Sequence, residues 1–247
     1  MFDVIAFDAD DTLWHNEPIY RGAQRQVLDI LAHYHDQEWI ERRMYETEIR
    51  NLEHYGYGIK GFTLSMIETA IELTEGRISG AEIGRIIELT REMFKAPVEL
   101  LDGVEETIAT LAASHDLMLV TKGDLFEQQA KIARSGLAGH FKKIEIVPVK
   151  IRETYQSIVA GLEIQPHRFL MVGNSIRSDI LPVIEMGGRA VHIPYETTWE
   201  HEIVPEEELE GREFIRLGHI RELPALIYAT TRPDWISAAS GGERASE

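Results

Sequence analysis

Short, nearly unbroken apolar runs punctuate the chain at residues 4–7, 117–121, 144–149, 169–173, 190–193 and, more weakly, 214–217. Runs without polar alternation suit strands covered on both faces. Between them, residues 104–113, 125–134, 154–162 and 180–186 repeat apolar positions at helical spacing. Strand and helix in alternation predict an α/β fold with a doubly wound parallel sheet, in which ligands bind beyond the carboxyl ends of the strands. Asp8, Thr121 and Gly173 all fall at such ends.

The texture changes between Trp14 and Pro97, where strand-like runs vanish and amphipathic helical patterns occupy about residues 18–34, 37–54, 62–75 and 80–94. This predicts an all-helical insert over residues 15–97, with residues 1–14 and 98–229 forming a discontinuous core. Pro97 and the helix entry Asp102-Gly103 mark the return. Residues 230–247 are rich in small polar side chains that bury little surface, so a frayed tail is expected.

Composition narrows the chemistry. The 247 residues suffice for a sizeable core, and the absence of cysteine excludes disulfides, thiolate metal sites and a Cys nucleophile. A formal charge of −17 disfavours nucleic acid and anionic membranes as partners. Asp3 stands where a signal peptide carries a basic residue, and no apolar run approaches the roughly 20 residues of a membrane helix. These features predict a soluble, cytoplasmic protein; oligomeric state is not legible.

The first strand ends in Asp8-Ala9-Asp10-Asp11. Asp8 and Asp10 lie two apart and can converge at a frayed strand end, where their repulsion requires a cation. A hard divalent ion with oxygen ligands fits, with Mg²⁺ first.

Four separated elements resemble the haloacid dehalogenase superfamily of hydrolases, in its subgroup with a helical cap after the first motif. They are Phe7-Asp8-Ala9-Asp10-Asp11-Thr12-Leu13, Leu119-Val120-Thr121, Lys150 ahead of a helix, and Gly173-Asn174-Ser175-Ile176-Arg177-Ser178-Asp179. The resemblance implies Asp8 as a nucleophile that becomes phosphorylated and Asp10 as the acid and base for leaving group and water. It implies Asp8, Asp179 and the Asp10 backbone carbonyl as Mg²⁺ ligands, and Thr121 and Lys150 as phosphate ligands. Asn174 replaces an Asp common in relatives and would orient a metal-bound water. Lys122 stands where relatives often have Asn and is a candidate substrate contact or loop support. Lys150 is preferred to Lys142 and Lys143 because it follows a strand end.

Asp10 and Asp179 favour phosphoryl transfer over halide displacement, which needs neither a proton donor nor a metal. The function implied is a Mg²⁺-dependent phosphatase of a small phosphorylated metabolite, the alternatives being a phosphomutase or a non-catalytic metal- or ligand-binding member. Trp14, Tyr20, Tyr57 and Phe62 are candidates to line the lid, and the segment from Pro194 to Trp199 to border the cleft. Gly56-Tyr57-Gly58-Ile59-Lys60-Gly61 formally matches a dinucleotide fingerprint but follows a helical pattern, so it reads as a loop between insert helices. His33 and His35, two apart on an expected helix, make a poor metal pair.

Overall fold

The computed structural model describes residues 2–229; the expected tail, 230–247, lies outside them. Its centre is a six-stranded parallel sheet in the order β3-β2-β1-β4-β5-β6. The strands are β1 (Val4–Phe7), β2 (Asp116–Lys122), β3 (Lys143–Val147), β4 (Phe169–Gly173), β5 (Arg189–His192) and β6 (Ile215–Arg216). The helices are α1 (Glu17–Leu31), α2 (Gln37–Tyr55), α3 (Ile59–Leu73), α4 (Gly80–Lys95), α5 (Val104–Ala112), α6 (Leu125–Arg134), α7 (Arg152–Gly161), α8 (Leu181–Glu185) and α9 (Leu223–Ala229).

The apolar runs follow from burial on both faces. Along β1, Ile5 and Phe7 join Leu117, Leu119, Leu170 and Val172 on one side, under α5 and α9. Val4 and Ala6 join Met118, Val120, Phe169 and Met171 on the other, under α7 and α8. Strand β1 pairs with both β2 and β4, in register Phe7 to Leu119 and Phe7 to Val172, which seats the acidic turn in the middle of the sheet's carboxyl edge. Truncating a side chain such as Phe7, fully buried here, costs about 3–5 kcal/mol in comparable cores. The outer strand β3 departs from the two-sided expectation: Ile144 is 37% exposed, because a sheet edge lacks a neighbour on one side.

Helices α1–α4 form a helical cap with a separate core that includes Val27, Leu31, Ile40, Met44, Phe62, Met66 and Ile86. Asp36 caps α2 through the Trp39 N–H at 2.9 Å, and Ser79 with Glu82 makes a reciprocal cap on α4. Helix α1 stops at Leu31, short of the expected residue 34, and the chain turns to reach the Asp36 cap. His33 and His35 therefore sit in that turn, where His35 stacks on Trp39 and contacts Asp36.

The two links between cap and core run side by side as a short antiparallel ribbon. His15 N–H donates to Glu99 O at 3.0 Å and Leu101 N–H to Leu13 O at 3.0 Å, bracketing a Trp14–Leu100 bridge. Among the described residues, no helix is long and apolar enough to cross a membrane.

Candidate active site

Asp8 extends the β1 ladder, its N–H donating to Val172 O at 2.9 Å. The chain then turns sharply through Asp11, whose φ of 60° is left-handed. Asp11 accepts from the N–H groups of Asn16 at 2.9 Å and Glu17 at 3.0 Å, holding the entry of α1. Burial pushes its carboxyl up to about 7 against those two bonds.

Three loops meet at Asp8. Lys150, ahead of α7, lays its ammonium on one Asp8 oxygen and 2.7 Å from Asp179 Oδ1. Thr12 Oγ1 donates to the other Asp8 oxygen at 2.8 Å and accepts the Asn174 N–H at 3.1 Å. Beyond β4 a π-helical turn, Ile176–Ile180, carries Asp179 inward, where its second oxygen accepts the Ser175 N–H at 3.0 Å. Only glycine fits at position 173, since a Cβ there would lie 2.3 Å from Asp179 Oδ2. Asp8, Asp179 and Lys150 are all nearly buried.

The electrostatics follow from two acids sharing one base. Burial pushes the Asp8 carboxyl up to about 6, against the pull of Lys150 and with help from Asp179. Burial would lower Lys150, but the carboxylates of Asp179 and Asp8 outweigh it and hold the ammonium charged. The oxygen donors here fit a hard dication: two carboxylates with one ammonium between them, and the Asn174 amide oxygen linked to Asp8 through the Thr12 hydroxyl. Among the described residues, no three His, Asp or Glu side chains gather to hold a metal by themselves. Such an ion would therefore complete its shell with neutral oxygens, as Mg²⁺ commonly does.

The Asp10 carboxylate turns elsewhere. It accepts from Lys131 Nζ at 2.8 Å on both oxygens, from Gln128 Nε2 at 2.8 Å and from Trp14 Nε1 at 2.7 Å. Lys131 also reaches Asn16 Oδ1 at 3.0 Å and Glu127 Oε1 at 3.0 Å. Glu127 in turn accepts the Ile59 N–H of the cap at 2.7 Å. Lys131, Gln128 and Glu127 were not legible as site residues; α6 buries these polar side chains and exposes Leu125 and Phe126, the reverse of what residue type suggests.

A cleft of about 830 Å³ between core and cap is lined by Asp8, Asp10, Thr121, Lys150, Asn174 and Asp179. Tyr20, Tyr57 and Phe62 line it from the cap, and Thr197 to Trp199 border it. Trp14 does not line it: at 1% exposure it is packed in the core, with its indole N–H used on Asp10. Lys122 lines the cleft with its ammonium already engaged, by Glu202 and by Ser178 Oγ at 2.9 Å. Lys142 and Lys143 pair with Asp116 and Glu145, away from the cleft.

Comparison with known proteins identifies the family of the chain. A family model for haloacid dehalogenase-like hydrolases matches residues 2–187. A haloacid dehalogenase-like family hydrolase from Xanthomonas campestris is 38% identical, covers 97% of this chain and 94% of its own, and superposes with a TM-score of 0.83. A predicted phosphoglycolate phosphatase from Haemophilus somnus is 17% identical, covers 92% of this chain and 98% of its own, and gives a TM-score of 0.62. The L-2-haloacid dehalogenase from Xanthobacter autotrophicus with chloropropionic acid covalently bound is 14% identical, covers 93% of this chain and 100% of its own, and gives 0.61. The last two share the fold and name different reactions. No curated protein matches the chain. The family model and the Xanthomonas relative, each spanning most of the sequence, establish that the chain belongs to the haloacid dehalogenase-like hydrolases.

Proposed function

We propose that this hydrolase is a Mg²⁺-dependent phosphatase of a small phosphorylated metabolite. The observation that carries the reading is the meeting of Asp8, Lys150 and Asp179 from three loops at one buried point, with a second carboxylate, Asp10, two residues beyond the first.

In the first half-reaction an Asp8 oxygen attacks phosphorus, forming an aspartyl-phosphate as the bond to the leaving oxygen breaks. Asp10 donates its proton to that oxygen, releasing an alcohol. In the second half, Asp10 takes a proton from a water that attacks the same phosphorus, and inorganic phosphate leaves with Asp8 restored. Lys150 and the Thr121 hydroxyl, at the end of β2, both line the cleft and would hold non-reacting phosphate oxygens. Asp8, Asp179 and the Asp10 carbonyl, with Asn174 orienting a water, would hold Mg²⁺, which when bound adds positive charge facing the phosphate. Asp8, Asp179 and Lys150 sum to one negative charge, so a dication leaves the pocket attractive to an anion despite the acidic chain.

Displacement of halide needs no proton donor, so an acid two residues beyond the nucleophile favours phosphoryl transfer. The test is hydrolysis of p-nitrophenyl phosphate with and without Mg²⁺, comparing wild type with Asp8→Asn. Mg²⁺-dependent turnover that Asp8→Asn abolishes is expected; equal rates for the two proteins would remove the proposal. A screen of phosphorylated metabolites then identifies the substrate, and release of an isomer in place of inorganic phosphate would indicate a phosphomutase.

A further inference from the structure

Glu202 lies outside all the motifs, in a turn between β5 and β6, yet it is 8% exposed at the cleft wall. One of its oxygens takes the Lys122 ammonium, from the residue after Thr121. The other takes the hydroxyls of Ser175 and, at 2.7 Å, Ser178. Burial would raise this carboxyl, but Lys122 and the two serines outweigh burial and hold it down to about 2.

Strands β2 and β4 are not neighbours, because β1 lies between them. Together with the direct bond from Lys122 to Ser178, Glu202 thus ties two elements that the sheet does not join directly: the end of β2, which carries Thr121, and the π-helical turn that carries Asp179. Ser175 also gives its N–H to Asp179 Oδ2 at 3.0 Å, and its hydroxyl accepts the Ser178 N–H at 3.0 Å. Tyr155 OH donates to Ser178 O at 3.0 Å from beneath. On the cleft side, Lys122 Nζ lies 4.3 Å from the centre of the Tyr57 ring, and that ring meets Trp199 edge-on at 6.1 Å. The ammonium is therefore enclosed by a carboxylate, a hydroxyl and an aromatic face.

We propose that Glu202 is a positioning residue of the active site. It fixes the Asp179 turn against the end of β2, and it commits Lys122 to the cap contact with Tyr57, withdrawing it from substrate. This rests on the phosphatase reading above. Glu202→Gln keeps the size of the side chain and removes the charge that holds Lys122 and both serines. Partners bonded directly to metal ligands are worth about 10–100-fold in activity or metal affinity, and Glu202 acts on Asp179 one bond further out, through Ser175.

The experiment measures kcat and KM for p-nitrophenyl phosphate at saturating Mg²⁺, and Mg²⁺ binding by calorimetry without substrate, in wild type, Glu202→Gln, Lys122→Met and the double variant. The expected result for Glu202→Gln is a loss in kcat of about 10-fold or more, Mg²⁺ binding weakened to a similar degree, and KM changed less than kcat. Lys122→Met should add less than about 2-fold in the Glu202→Gln background, since coupled residues are not additive. Should Glu202→Gln fail to fold, Ser178→Ala removes one of the three donors and should lower kcat by about 5-fold or more. Wild-type kcat and Mg²⁺ affinity in a folded Glu202→Gln or Ser178→Ala protein, or fully multiplicative losses in the double variant, would overturn the inference alone. A wild type with no turnover would overturn the phosphatase reading and this inference with it.

Discussion

The Lys131 ammonium lies 2.8 Å from both oxygens of Asp10, so the carboxylate proposed to serve the leaving group is held by a cation from α6. With Gln128 and Trp14 also donating, Asp10 has several protein partners that favour its present orientation. Replacing Lys131 by Met should therefore disturb proton delivery more than nucleophilic attack. Turnover of a simple alkyl phosphate should fall about 10-fold or more, with a smaller loss for p-nitrophenyl phosphate, whose leaving group departs without a proton. Equal losses on the two substrates would show that Lys131 acts only on stability.

Gly58 sits where the cap touches α6. A Cβ at this position would lie 2.8 Å from Glu127 Oε2 and 3.1 Å from Asp124 Cβ, and its φ of 116° is itself unfavourable for other residues. Gly58→Ala should weaken the Ile59 N–H bond to Glu127 and the Lys60–Asp124 pair. We expect a drop in Tm of several degrees, corresponding to about 1–3 kcal/mol. Gly84→Ala is the control, because nothing lies within 4 Å of a Cβ there.

Glu48, on the cap wall of the cleft, has its carboxyl pushed up from 4.5 to about 7, by burial first and then by Glu17. Between those values the folded protein binds a proton that the unfolded chain has released. Stability from this group is therefore full at low pH and declines as pH rises towards 7. Glu48→Gln removes the titration. The variant should gain in Tm relative to wild type at pH 8 compared with pH 5, and parallel Tm–pH curves would refute this.

Asp179→Asn keeps the shape of the π-helical turn and removes one of two carboxylates offered to a metal. Calorimetric titration with Mg²⁺ should show binding weakened by about 10-fold or more, since the pocket loses a full charge against a dication. Unchanged affinity would remove Asp179 from the ligand set.

The strands were legible because residues 4–7 of β1, 117–120 of β2 and 169–172 of β4 are buried on both faces and apolar throughout. The motifs were legible where loop residues have chemistry that no packing role explains, as at Asp8, Lys150 and Asp179. Trp14 was a lid candidate although aromatic residues at such positions are more often core, and the fold places it in the core under Asp10. The helix after β4 was expected from residue 180, yet it starts with the wider turn at Ile176, a feature with no periodic signature. Glu202 left no trace at all, since its partners lie 24 to 80 positions away along the chain.

The paired links at His15 and Glu99 and at Leu13 and Leu101 have a modular consequence. Because the outgoing and returning segments are zipped together, the helical insert imposes on the sheet only the separation of two adjacent strands, about 5 Å. Another insert whose ends emerge at that spacing could be grafted at this hem without changing the carboxyl edge beneath it. The helical insert and the sheet's carboxyl edge are in this sense separately exchangeable parts of the one polypeptide.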